Sequence, residues 1–180
     1  MKQIIEVKNK SIGELIDEDG IINAIKKLKC NERLSFICPD FIIGEGTVIY
    51  YFCNLFGKSK IGKNCIISSY TEIQGGVKLG DGSRVGSHSF LCSGLEIGNN
   101  VFLGSYFCSI NDRHPKSHNA NYLQEKTIIK NNVSIGSSVT VMCGVTIGES
   151  SIVGAGSLVL KDVPDGEIWL GQPARFIKKI

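Results

Sequence analysis

The sequence predicts an all-β fold, a parallel β-helix wound from hexapeptide repeats, and two regularities carry that expectation. From Ile43 to Leu103 every sixth residue is aliphatic: Ile43, Ile49, Leu55, Ile61, Ile67, Ile73, Leu79, Val85, Leu91, Ile97 and Leu103. Four residues after each of them stands, in most repeats, a small or β-branched side chain: Thr47, Cys53, Ser59, Cys65, Thr71, Val77, Ser83 and Ser89, followed by Leu95 and Val101. The period resumes at Ile129 and passes through Ile135, Val141, Ile147, Val153 and Val159. An α-helix repeats at about 3.6 residues and a flat strand at about 2, so an unbroken period of six belongs to neither. It is the period of a hexapeptide solenoid.

A six-residue unit makes one short strand and one corner, and three units close a triangular coil of roughly 18 residues. The aliphatic residues then stack into inner ladders, and the small residues fit the narrow space beside them. Glycine follows many of the aliphatics, as at Gly44, Gly62, Gly80, Gly86, Gly98, Gly104, Gly136, Gly148 and Gly154, where the chain turns a corner. One repeat cannot bury its apolar residue alone, so the ends of such a column need caps. The expected organisation is a single structural domain: an N-terminal cap over residues 1–35, the coil over 36–163, and a C-terminal cap over 164–180. Within the first cap, Ile21, Ile22, Ile25 and Leu28 follow helical spacing behind the potential N-cap Asp19, which predicts a short helix over 20–29. A strand is expected at Gln3–Lys8.

The period breaks once. Leu103 and Ile129 are 26 residues apart, two repeats and 14 further residues, so a loop spanning about 110–126 leaves the coil after Ser109 and returns near Thr127. Its sequence, NDRHPKSHNANYLQEK, is polar where the flanking repeats are not, and it carries two of the chain's three histidines. Long loops on a regular scaffold are commonly functional.

Composition bounds the rest. A chain of 180 residues with 42% hydrophobic content suits one packed domain and argues against disorder. A net charge of +3, spread along the chain, fits small anionic ligands better than nucleic acid, which calls for a concentrated basic face. No apolar run approaches a membrane span and the first 20 residues lack the long apolar stretch of a signal peptide, so a cytoplasmic location is expected. The seven cysteines (30, 38, 53, 65, 92, 108 and 143) show no metal-type spacing and are odd in number; Cys53 and Cys65 occupy small-residue slots and read as core filler.

The segments IGNNVFLGS, VSIGSSVTVMCGVTIGESSIVGAGSLVLKDVP and LGQPARFIKKI resemble the hexapeptide-repeat acyltransferases, over about residues 41–180. That resemblance implies a left-handed coil, a hand the composition does not reveal. It also implies acetyl-CoA as donor and a homotrimer, with the pantetheine arm in the groove between subunits and the phosphates met by Lys and Arg near the C-terminus. The matching residues are Gly136, Ser137, Gly154, Ala155, Gly156, Ser157, Lys161 and Arg175. The coil corners already require Gly154 and Gly156, so Ala155, Lys161 and Arg175 carry more of the functional implication.

Within the loop, His114-Pro115 resembles the His-Pro pair that carries the base in many hexapeptide O-acetyltransferases. Asn111-Asp112-Arg113-His114-Pro115-Lys116 also resembles, without a gap, the N-D-x-aromatic-P-R/K segment of bacterial nucleotide-sugar N-acetyltransferases, whose fourth position is often not histidine. His88 is the rival base. It stands three residues after the inward Val85, hence on the outer surface, with Tyr106 one coil above and the root of the loop nearby. Acetyl transfer needs a proton acceptor, a donor to the developing oxyanion and orientation of both substrates. Imidazole supplies the first near neutral pH; Asp112 or a backbone carbonyl would fix its tautomer, and the family resemblance implies a coil N–H for the oxyanion. The expected catalytic set is therefore His114, His88, Asn111 and Asp112, with no metal. The expected activity is N-acetylation of a nucleotide-linked amino sugar for surface polysaccharide synthesis; O-acetylation of a sugar hydroxyl is the alternative. A zinc site like that of the γ-class carbonic anhydrases and a non-catalytic scaffold are lesser alternatives.

Overall fold

A computed structural model describes residues 35–118 and 123–180. The helix expected over 20–29 and the strand at 3–8 lie outside the described residues. From Phe36 onward the chain winds as a left-handed parallel β-helix with three flat faces. The first face stacks the strands Phe36–Ile37, Asn54–Leu55, Glu72–Ile73, Phe90–Leu91, Cys108–Ser109, Thr140–Val141 and Leu158–Val159. The second stacks Ile42–Ile43, Lys60–Ile61, Lys78–Leu79, Leu95–Ile97, Thr127–Ile129 and Thr146–Ile147. The third stacks Val48–Ile49, Ile66–Ile67, Arg84–Val85, Phe102–Leu103, Ser134–Ile135 and Ile152–Val153.

Registers run in steps of one coil: Leu55 opposes Ile73, Ile61 opposes Leu79 and Ile67 opposes Val85. The sixth-residue aliphatics fill the prism, with Leu55, Ile67, Ile73, Leu91, Leu103, Ile135 and Ile147 fully buried. Ile43 and Ile49, in the first full coil described, are only partly buried.

The small-residue ladder has a second role. Hydroxyls at these positions are buried but donate to corner carbonyls: Ser59 to Gln74 O at 2.8 Å, Ser83 to Gly98 O at 3.0 Å and Ser157 to Gly154 O at 2.7 Å. Serine and threonine therefore stand in the core without leaving a buried polar group unpaired. The rule of small size relaxes in one coil, where Leu95, Val101 and Phe107 all point inward and Phe107 is fully buried. The six cysteines among the described residues are free thiols, and four of them are buried. Burial, followed by the neighbouring Cys108, pushes the Cys92 thiol up to about 11.

The coil does not end where its period does. Glu167–Gly171 continues the third face, pairing Ile168 with Ile152 and Trp169 with Val153, and then folds back antiparallel onto Ala174–Lys179. The indole of Trp169 is buried and donates to Glu167 Oε2 at 2.8 Å, so this hairpin seals the third face with an aromatic ring whose polar atom is satisfied.

Candidate active site

The loop over 110–126 leaves the corner between the first and second faces, as the spacing predicts. Its two ends are fastened to each other and to the coil. Arg113 donates to both carboxylate oxygens of Glu125, Nε at 3.0 Å and Nη2 at 2.8 Å, and Nη2 also donates to Cys143 O at 2.7 Å. This fork lies over Gly144, whose φ of 76° is in the left-handed region and where a Cβ would strike Glu125 Oε2. The next residue, Lys126, pairs with Glu96 on the second face at 2.6 Å, and Glu96 also holds Lys78 at 2.8 Å. The Arg113 guanidinium holds the Glu125 carboxyl below its ordinary range, and Lys126 and Lys78 do the same for Glu96. Sequence reasoning passed over Arg113 and Glu125; their signal was an opposite pair of charges at the two ends of the insertion.

Between these anchors, Asp112 Oδ1 accepts the backbone N–H of His114 at 2.8 Å. That is an Asx turn, and it gives Asp112 a definite job: it shapes the backbone that presents His114. His114, Lys116 and His118 are exposed, and Asn111 and Asp112 are half-buried.

His88 stands elsewhere. It occupies the corner between the third and first faces, in the left-handed region with φ 58°, and its ring is sandwiched between Tyr70 and Tyr106 at centroid distances of 4.7 and 5.0 Å. Tyr106 is thus the ring one coil above, as the 18-residue step predicts. The root of the loop is at the opposite edge of the first face, on the order of 15–20 Å away at about 3.3 Å per residue.

The residues matched to acetyl-CoA divide in the same way. Gly136, Ser137, Gly154, Ala155 and Gly156 continue the His88 corner upward: Ser138 N donates to Ser105 O and Gly156 N to Ser137 O, each at 2.8 Å. A Cβ on Gly136 would fall 2.5 Å from Ala155 N, so coil packing alone demands glycine there. Lys161 lies on the loop's side of the first face, past Leu158–Val159, with its ammonium 5.6 Å from the centroid of the Trp169 indole. Arg175 is exposed on the last strand, its Nη1 donating to Ala174 O at 3.0 Å. One edge therefore carries His88 and the glycine corners, and the other carries Asn111, Asp112, His114 and Lys161. Among the described residues no group of three or more His, Cys, Asp and Glu side chains is placed to hold a metal ion, and no helix is long and apolar enough to cross a membrane.

Comparisons with known proteins agree with this fold. Residues 58–93 and 126–161 match the bacterial transferase hexapeptide (six repeats) model. Both stretches belong to the six-residue coil. Over 71 residues the chain is 44% identical to galactoside O-acetyltransferase of Escherichia coli, covering 37% of this chain and 35% of that protein. Over 52 residues it is 52% identical to a putative acetyltransferase of Schizosaccharomyces pombe, covering 29% and 25%. The matches span about a quarter to a third of the length of these curated relatives. Among solved structures, AntD, an N-acyltransferase from Bacillus cereus in complex with dTDP and coenzyme A, superposes with a TM-score of 0.70 at 26% identity, over 86% of this chain and 88% of that one. PerB from Caulobacter crescentus, in complex with CoA and GDP-perosamine, gives 0.53 at 25% identity, over 80% and 54%.

Proposed function

We propose that the chain is an acetyl-CoA-dependent acetyltransferase that N-acetylates a nucleotide-linked amino sugar for surface polysaccharide synthesis, working in the cytoplasm as a homotrimer. The observation that carries this reading is the fastened loop on a hexapeptide coil: the Arg113–Glu125 fork and the Asp112 turn hold an exposed imidazole at one edge of the first face. The likeness to AntD, which covers most of both chains and whose complex holds dTDP and coenzyme A, supports the substrate class.

The split between the two edges supports the trimer. Within one chain the loop and the glycine corners face apart; a neighbour that brings its own glycine corner to this chain's loop edge unites the two sets in one groove. In that groove Gly136, Ser137, Gly154 and Ala155 present corner backbone to the pantetheine arm, and a corner N–H meets the developing oxyanion. Lys161 and Arg175 meet the phosphates, a role in which Lys161 leaves the Trp169 ring for a stronger, charge-assisted contact. His114 takes the proton of the acceptor nitrogen as it attacks the thioester carbonyl, and the thiolate of CoA departs.

O-acetylation of a sugar hydroxyl is the second reading, favoured by the galactoside O-acetyltransferase matches and by the His114-Pro115 pair. An assay of CoA release against UDP-, dTDP- and GDP-linked amino sugars and against plain sugars separates the two. Release that depends on an amino sugar carrying a nucleotide is expected. Release with galactosides alone turns the assignment to O-acetylation, and no release with any acceptor removes the enzymatic reading.

A further inference from the structure

The aromatic column at the corner between the third and first faces stops short of the cap. Phe52, Tyr70, His88 and Tyr106 stack at centroid distances of 5.1, 4.7 and 5.0 Å with planes 15°, 12° and 7° apart. Each has φ between 58° and 63°. Tyr70, His88 and Tyr106 each donate their backbone N–H to a carbonyl one coil below, in Tyr51, Ser69 and Ser87. The backbone of the column then continues unchanged through Ser138, φ 59°, and Gly156, φ 71°, while the rings do not. Position 138 offers a hydroxymethyl group, and a Cβ at 156 would meet nothing within 4 Å. Above them Gln172 Nε2 donates to Gly156 O at 2.6 Å. Tyr106, although stacked on His88, remains 59% exposed.

Stacked coils rise about 4.8 Å each, so the interval from Tyr106 to Gly156 is roughly 10 Å, space for one flat ring at the level of Ser138. We propose that this gap is a nucleobase-stacking subsite: a heteroaromatic base lies on the face of Tyr106 turned away from His88, with the Ser138 hydroxyl at its edge. The column itself shows that this corner accepts planar rings at this spacing four times over. The inference deepens the proposed function, because it names how the nucleotide part of a substrate is gripped. The base has two sources, the adenine of CoA and the base of the sugar nucleotide. A stacked base adds about 10- to 100-fold in affinity.

The test is calorimetric titration with 3′-phosphoadenosine 5′-diphosphate and with dTDP, each compared with inorganic pyrophosphate, which has no base. Two variants accompany the parent. Ser138→Tyr extends the ring column into the gap, using a residue that the same corner already accepts at 70 and 106; Tyr106→Leu removes the stacking face. The expected result is that at least one nucleotide binds the parent ten-fold or more tighter than pyrophosphate, and that both variants lose this margin while their melting curves remain cooperative. Loss confined to the adenine compound assigns the subsite to CoA, and loss confined to dTDP assigns it to the acceptor. If Ser138→Tyr does not fold, Tyr106→Leu decides alone. The proposal is overturned if neither nucleotide outbinds pyrophosphate, or if the folded variants bind both as the parent does. Ring-dependent binding without acetyl transfer would sink the enzymatic reading and leave this subsite standing.

Discussion

The imidazole of His88 lies flat against the ring of Tyr106, with centroids 5.0 Å apart and planes within 7°. With Tyr70 on its other face, His88 has an architectural role that does not depend on proton transfer. Phe52 occupies the same column at φ 59°, so His88→Phe should keep the stack and remove only the titratable atoms. We expect His88→Phe to retain kcat within a few-fold and His114→Ala to lose about 10²–10⁴ in kcat, the range for a positioned general base. Steady-state kinetics on the best acceptor would check this. The reverse pattern makes His88 the base and His114 a surface residue of the loop.

Acid should loosen the loop before it unfolds the coil. Glu125 and Glu96 both have carboxyls depressed by partners, Arg113 for the first and Lys126 with Lys78 for the second. A depressed carboxylate contributes stability above its unfolded pKa, and that contribution is lost as pH falls through the folded one. Limited proteolysis within 113–125 is therefore expected to accelerate from about pH 4 downward, near and below the ordinary glutamate value, while the β signature in circular dichroism persists. Arg113→Ala should show the same susceptibility at neutral pH. A cleavage rate that ignores both changes would show that the fork does not hold the loop.

Lys161→Ala and Arg175→Ala are expected to raise KM for acetyl-CoA several-fold and to leave KM for the acceptor near the parental value, as charge-assisted phosphate contacts require. Lys161→Met, which keeps the stem over Trp169 but not the charge, should behave like the alanine variant. Effects on the acceptor KM instead would place these cations at the sugar nucleotide.

Subunit mixing probes the division of the site between two edges. On the proposed trimer, His114→Ala disables the loop edge and Ala155→Trp fills the other edge, so each variant alone should be nearly inactive. Unfolding the two together and refolding them at equal ratio should restore about a quarter of parental activity, because a groove is intact when both of its halves, drawn independently, come from unaltered edges. No recovery in mixed trimers would place the whole site within one chain.

Most of the fold was legible because the period of six leaves no other regular structure open: Ile61, Ile67 and Ile73 are inward where the count puts them, and the loop opens after Ser109 where the count fails. The His88–Tyr106 contact was legible for the same reason, since both are one coil apart on a single corner. Less visible was the partition of the site. The count puts His88 between Val85 and Leu91, at the corner that enters the first face, and the loop after Ser109, at the corner that leaves it; the expectation that His88 lies near the root of the loop overlooked the width of that face. Asp112 or a backbone carbonyl was expected to hold the imidazole; what the count did not show is that Asp112 also accepts a backbone N–H two residues on, a local bond that short Asx side chains form readily. The inward Phe107 also departs from the small-residue ladder, in a coil that accommodates Leu95 and Val101 at the equivalent slots of its other faces.

The most direct measurement is to incubate the protein with carbonyl-labelled acetyl-CoA and a nucleotide-linked amino sugar and to read the product by NMR. The account predicts an amide carbonyl on the sugar nitrogen, formed in step with free CoA and abolished in His114→Ala. An ester carbonyl, or acetate released with the sugar unchanged, would contradict it.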